Sequence, residues 1–387
     1  MNYSTLNLDL QSVVKRCYDN LLYRSSFMNF LNSAYIGEVR QTGTPTIEIA
    51  KQNATATNKT LNSPDLTQAL SPVLATYGSK IIDLTELRLD YSFRVSYMMT
   101  ESGMKKAVDG QIELQDSTNA TMIDEYGYDK LAGAIVGSAD GSLAYTLGQV
   151  IVWNPATQEA YITLLNNLKA KLFNRKIYEN YLLGLEAVEY GNFVSALTSI
   201  LKFETMAGVE GVDRGDVARA YGISIFPINS DVLDSSNTKG YFANEVGVVG
   251  DAFFSQFNEF NGSYPGFPGY YVVEGVILFG ADVVRPEAVI KLVASVPTMN
   301  TASGTGTFDA GEVGEAYSQT TAFNGTGITS FVAVGLPAGL TLNETTGAVT
   351  GTPTTAGSYS VNIYGLDSNG NYSNAQKGTI VISPSTN

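Results

Sequence analysis

The chain is 387 residues long, with 23 basic against 37 acidic side chains, a net charge of −14, one Cys and no His. Without His there is no Ser-His-Asp or Cys-His nucleophile and no His metal ligand; with Cys17 as the sole thiol there is neither an intrachain disulfide nor a Cys-rich zinc site. The acidic balance argues against a nucleic-acid-binding surface, which needs clustered Lys and Arg, and the length implies two or three domains.

Charge is unevenly placed. Residues 1–100 hold nine basic and eight acidic side chains, 101–296 hold 13 and 24, and 297–387 hold one, Lys377, and five. The first ten residues lack a basic start and an apolar stretch, and no 18-residue apolar run occurs. The expectation is synthesis in a cytoplasm and no membrane span.

Residues 9–34 carry Leu10, Val13, Val14, Cys17 and Leu21 at helical spacing, which predicts an amphipathic helix with a buried, inert thiol. Residues 44–50 alternate like a strand, and 51–80, rich in Asn, Thr, Ser and Pro, predict a long loop. Leu87, Leu89, Tyr91, Phe93, Val95, Tyr97 and Met99 then occupy every second position, which demands a long strand with one covered face. Two strands flanking a polar loop predict a protruding hairpin that a monomer would struggle to cover. Residues 104–136 predict a long, partly polar helix. A second helix follows 153–155, with Asn154 as N-cap, Pro155 at the first helical position and a stripe of Tyr161, Leu164, Leu165, Leu168 and Leu172. Lys169, Lys171, Arg175 and Lys176 favour its C-terminal end. Short strands through 222–227, a small-residue helix at about 243–258, and a strand pair at 271–279 and 281–284 complete this part. From 297 onward Thr, Ser and Gly become dense and turns recur every 8 to 12 residues, predicting a small β-sandwich after a flexible linker at 300–306.

The chemical motifs are weak. Gly208–Gly211 and Gly247–Gly250 lack the rest of a phosphate-binding pattern, and Asp367 to Asn371 starts like a calcium loop but has Tyr372 where a Gly belongs. The carboxylate pairs Glu186 with Glu189 and Asp213 with Asp216 read as solvated turns. No catalytic, cofactor-binding or metal-binding residues are expected, and the protein reads as not an enzyme.

The order of features resembles a known family. The helical N-terminal arm, the strand and polar loop, LRLDYSFRVSYMM at 87–99, the long acidic helix and PATQEAYITLLNNLKAKLFNRKI at 155–177 come in sequence, followed by GVEGVDRGDVARAYGISIFPINS at 208–230 and YYVVEGVILFGADVVRPEAV at 270–289. This run resembles the major capsid protein of tailed bacteriophages, with the Hong Kong ninety-seven-type capsid fold. The resemblance implies an α+β fold divided into an N-terminal arm (1–40), an extended loop (41–100), a peripheral domain with the spine helix (101–154), an axial domain (155–270) and closing peripheral strands (271–296). It implies self-assembly into pentamers and hexamers of an icosahedral shell around packaged double-stranded DNA, without specific binding. A separate scaffolding protein, a portal and cement proteins would be partners, and the virion the location. Arg88, Arg94 and Arg285 are candidate assembly contacts. Some members cross-link Lys to Asn, and Lys51 and Lys59 lie in the loop.

Gly335 to Asn343, Thr346 to Pro353, Ala356 to Val361 and Gly365 to Asp367 resemble a bacterial immunoglobulin-like domain, expected at 307–387 after a linker at 297–306. Its glycines and prolines serve turns between sandwich strands, so the motif reports fold rather than chemistry. On a shell it would decorate the outer surface, as a spacer or as a glycan binder. The rival readings are an encapsulin-like compartment shell, which shares the shell fold, and a bacterial surface adhesin, which shares only the C-terminal domain.

Overall fold

The computed structural model describes residues 10–32, 34, 45–53, 76–96, 101–136, 149–178, 180–197, 218–220, 222–261, 265–266, 269–299, 308–319, 325–368, 372–373 and 375–385. In chain order they form α1 (Leu10–Arg24), β1 (Thr46–Asn53), β2 (Thr76–Asp83), β3 (Leu87–Ser96), α2 (Glu101–Val136), β4 (Val150–Val152), α3 (Gln158–Asn174), β5 (Tyr181–Glu186) and α4 (Ala187–Leu197). Strands β6 (Ala218–Ala220), β7 (Ile223–Ile228), β8 (Thr238–Asn244), β9 (Val248–Asn261), β10 (Tyr270–Val283) and β11 (Val289–Val293) follow. The chain is α+β, as its sequence predicts, and divides into two compact units, 1–126 with 248–284 and 127–247 with 285–387.

In the first unit β1 and β2 form an antiparallel ribbon in which Ile47 faces Ile82. Ile47, Ile49, Ile82 and Leu84 are buried with Val249, so the ribbon's inner face is covered by its own chain. A three-stranded antiparallel sheet, β3-β10-β9, makes the body of the unit. Along β3, Leu89, Tyr91, Phe93 and Val95 are buried and Arg88, Asp90, Ser92 and Arg94 exposed, the alternation read from the sequence. Its position is a correction. The hairpin expected from 44–50 and 87–99 is instead made by β1 and β2, and β3 pairs with β10 from Ser96–Tyr270 to Leu87–Phe279. The three-residue turn Leu84–Glu86 separates β2 from β3, and Asp83 accepts from the Thr85 amide at 2.8 Å.

Two further corrections concern β9 and β10. The helix expected at 243–258 is mostly strand β9, because Val248 and Val249 are β-branched and Gly247 and Gly250 weaken a helix, while β10 offers a ladder. The expected strand pair at 271–284 is one 14-residue strand. Gly280 makes no turn; a Cβ there would lie 2.1 Å from the Asp83 carbonyl oxygen, so glycine is required for close approach of β10 to the β2–β3 turn.

In the second unit a six-stranded sheet runs β4-β11-β8-β5-β7-β6. Helices α3 and α4 bury Tyr161, Leu165, Leu168, Leu172 and Phe193 with Leu183, Leu185, Ile225 and Ile290. Helix α3 starts later than expected: Thr157, not Asn154, is the N-cap, its hydroxyl accepting from the Ala160 amide at 3.3 Å. Strands β4 and β11 belong to the six-stranded sheet, and β9 belongs with β10.

Strands β12 (Thr298–Met299), β13 (Gly311–Glu312), β14 (Tyr317–Gln319), β15 (Gly325–Thr326), β16 (Ser330–Val334), β17 (Leu340–Leu342), β18 (Val349–Gly351), β19 (Gly357–Leu366) and β20 (Gln376–Ser383) end the chain. A four-stranded sheet, β13-β20-β19-β16, and a three-stranded sheet, β14-β18-β17, share a core of Phe308, Tyr317, Phe331, Val349, Val361, Ile363 and Ile380. This is the expected sandwich. Residues 298–299, within the linker expected at 297–306, pair with β15.

Candidate functional site

Of the three arginines expected at subunit contacts, Arg88 and Arg94 belong to the first unit and Arg285 to the second. Arg88 and Arg94 stand on the wet face of β3. Arg88 Nε donates to Asp90 Oδ1 at 2.6 Å, and Arg94 lies over the Tyr270 ring, 5.5 Å from its centroid. Arg285 precedes the short helical turn Pro286–Ala288 and donates from Nε to Glu287 Oε1 at 3.0 Å. Each arginine meets an acceptor or ring of its own neighbourhood. A groove on the β3-β10-β9 face is lined by Arg88, Asp90, Ser92, Asn258, Glu274 and Val276.

The densest polar arrangement was not read from the sequence. It docks the N-terminal segment onto α2. Asp124 Oδ1 accepts from the Ser25 hydroxyl at 2.6 Å and the Phe27 amide at 2.9 Å, and Oδ2 from the Ser26 hydroxyl at 3.0 Å. Asp116, wholly buried, accepts from the Tyr91 hydroxyl and from Asn20 Nδ2, both at 2.6 Å. Burial raises both carboxyls above their ordinary value, against the hydrogen bonds that pull them down. At the rim, Arg16 pairs with Asp109 and Arg24 with Glu113. These exposed pairs contribute at most about 1 kcal/mol each. The acids recur at 109, 113, 116 and 124, a helical stripe that is the signal available in the sequence. Beneath it, burial pushes the Cys17 thiol up to about 12, so it stays protonated and inert as expected.

The remaining carboxylates have structural partners. Glu186 and Glu189, read as a solvated turn, converge on Lys239 at 2.7 Å and 3.8 Å, all three side chains being mostly buried, 17–20% exposed. Lys291, buried in β11, donates to Asp234, which also accepts from Thr238 and Tyr241. The pair Asp213 and Asp216, the segment 208–211 and Lys59 lie outside the described residues. Among the described residues no group of three or more Asp, Glu, Cys or His could hold a metal, and no helix is long and apolar enough to cross a membrane. The polar arrangement on α2 holds segments of the first unit together.

Residues 293–383 match the family described as "Putative Ig domain". The segment is immunoglobulin-like. The match begins inside β11 and takes in the whole sandwich, including β12. Among curated proteins nothing matches the chain. Solved structures that resemble it include a chain of Mycobacterium phage Che8, 14% identical, covering 69% of this chain and 90% of that one at a TM-score of 0.43. A capsid chain of the cyanophage P-SCSP1u is 12% identical, with 65% and 84% covered and a TM-score of 0.44. A virus-like particle from Pyrococcus furiosus is 12% identical, with 73% and 98% covered and a TM-score of 0.38.

Proposed function

We propose that the chain is the major capsid protein of a tailed double-stranded DNA phage, a structural subunit that assembles into pentamers and hexamers of an icosahedral shell. The observation that carries this reading is the order of elements. A docked N-terminal helix is followed by a two-stranded ribbon, a 36-residue helix and a six-stranded sheet, and then by β10, which lies in the 270–289 segment that carries part of the family resemblance. In this reading β1–β2 is the arm of the extended loop, α2 the spine helix, and the six-stranded sheet with α3 and α4 the axial domain. Arg88, Arg94 and Arg285 are charges that fix register against neighbouring subunits. Scaffolding, portal and cement proteins are the partners, assembly takes place in the host bacterial cytoplasm, and the immunoglobulin-like domain projects outward, as a spacer or toward glycans.

The polar sites support this over an enzyme, because buried acids and lysines are spent on joining segments. An encapsulin-like shell is the second reading, since the same subunit order would serve it; the immunoglobulin-like domain favours the phage shell. Electron microscopy of the full chain and of a chain ending at Val296 tests the proposal. That cut keeps β11 whole and removes β12 together with its partner. Closed shells or ring-shaped capsomers from both, with knobs only on the full chain, are expected. Monomers under all assembly conditions, with candidate scaffold supplied, would overturn it in favour of the adhesin.

A further inference from the structure

Where the six-stranded sheet gives way to the sandwich, the chain is held closely on both sides. At the end of β11 the Val293 carbonyl accepts from the Trp153 amide at 2.7 Å, and the Ala294 amide donates to the Asn237 carbonyl at 2.8 Å. The Asn237 side chain then grips the next peptide from both ends. Its Nδ2 donates to the Ser295 carbonyl at 2.8 Å and its Oδ1 accepts from the Ser295 amide at 3.1 Å. A side-chain amide set against a backbone residue in this way copies the paired bonds of a strand ladder. The hold on β11 therefore continues past its last strand pair, Val293 with Thr238, through Ala294 and Ser295.

On the sandwich side a ladder resumes at once, Thr298 pairing with Thr326 and Met299 with Gly325. Only Val296 and Pro297 lie between Ser295 and this ribbon. A proline ring fixes its own φ at about −65° and biases the residue before it toward extended backbone. The freedom left is a restricted set of torsions at Val296 and the ψ of Pro297. Pro297 is itself buried, and a Cβ on Gly327, just past β15, would lie 3.9 Å from its Cα and Cβ. The residue after that glycine, Ile328, packs against the sandwich core, so the proline backs onto the domain it introduces.

We infer that Asn237 and Pro297 make this junction a stiff mount, which sets the sandwich at one angle to the six-stranded sheet. A flexible linker of the length expected at 297–306 would let the domain sweep, because the reach of such a chain grows with the number of free residues. Here the free stretch is Val296 alone. Asn237 and Ser295 lie outside both apolar clusters and Ser295 is exposed, so what they fix is direction rather than the stability of either core. Repeated over an assembly of copies, the same junction carries every sandwich at the same angle. That last step rests on the shell reading, whereas the junction itself belongs to a single copy.

Distances between a pair of spin labels on the full chain test it, with V188C/V381C as the labelled background. Val188 is 65% exposed on α4 and Val381 47% exposed on β20, while Cys17 is fully buried and takes no label. Labelled chains are diluted with unlabelled ones, so the distance read lies within one copy whether or not copies assemble. The unaltered junction should give one narrow distribution. Gly-Gly-Ser inserted after Val296 should broaden it by on the order of 10 Å, the span of such a chain. Asn237→Ala should broaden it less. Both should leave the thermal transitions in place, a split that residues serving stability alone would not give. If the unaltered distribution is already as broad as that of the insertion, the sandwich swings and the inference fails. A narrow distribution that neither variant widens would overturn it too, by putting the restraint elsewhere. Widening by the insertion but not by Asn237→Ala would remove the role given to Asn237. None of these results bears on whether shells form, so the shell reading stands or falls separately.

Discussion

Asp116 accepts from two donors and has no exposed surface, and this sets the sign of a pH effect. Its carboxyl is raised above the ordinary 3.8, first by loss of solvent, with Tyr91 and Asn20 pulling the other way. A carboxyl that holds its proton longer folded than unfolded makes the native state bind more protons between the two values. Stability therefore falls as pH climbs from 3.8 toward the raised native value, then levels off; Asp124 acts in the same direction. Asp116→Asn keeps an oxygen for the Tyr91 hydroxyl and cannot titrate. Its urea midpoint should decline less steeply than the parent's as the medium goes from acid to neutral. A parent-like slope would remove Asp116 as a source. The acids of α2 were visible in the sequence as a stripe, but their role was not. A carboxylate on a helix reads as solvated until its donors are known, and these lie 25 to 99 residues earlier in the chain. Cys17, by contrast, was legible because its apolar stripe is local.

At the scale of elements, period decided what could be read. The alternation in β3 and the Leu stripe of α3 are local signals and survive folding unchanged. Which strand β3 pairs with is a long-range choice, and the sequence reading erred there, as it did in taking β9 for a helix. Gly280 shows why: within its own neighbours it reads as a turn between two apolar runs, and only the Asp83 carbonyl and Leu84 Cα, 2.1 Å and 2.6 Å from where a Cβ would stand, explain it. Gly280→Ala must push backbone against backbone and should cost about 3 kcal/mol or more of unfolding free energy. Gly110, exposed in α2, has nothing within 4 Å of a Cβ. Gly110→Ala should stabilise by about 0.5–1 kcal/mol through helix propensity alone. Denaturant midpoints of the two variants decide it. Equal losses would mean that steric closeness at Gly280 is not the constraint.

At the scale of the molecule, two separate apolar clusters of the second unit predict how the chain melts. The first gathers Leu165, Leu168, Leu183 and Ile290 beneath α3 and α4; the second gathers Val361, Ile363, Ile380 and Phe331 inside the sandwich, and no residue belongs to both. The sandwich was legible from its turns, because they need glycine for local reasons. At Gly339, φ is 93° and a Cβ would fall 2.1 Å from the Thr352 carbonyl oxygen. Its border was not, since Thr298 and Met299 look like linker and become strand only by finding Thr326 and Gly325. A cluster shared by no other part should lose its cooperativity alone. Ile363→Ala, at a wholly buried site, should cost about 2–5 kcal/mol. At roughly 4–8 °C per kcal/mol for a domain of this size, it should lower one calorimetric transition of the full chain by about 10–30 °C and leave the other in place. Leu168→Ala should do the reverse. The ribbon β12–β15 lies on the sandwich's side of the division, so altering Thr298 to Pro should move the Ile363-sensitive transition and not the Leu168-sensitive one, since proline removes a ladder donor and β12 has only two residues to lose. Both transitions shifting in step with either core variant would show instead that the six-stranded sheet and the sandwich unfold as one body.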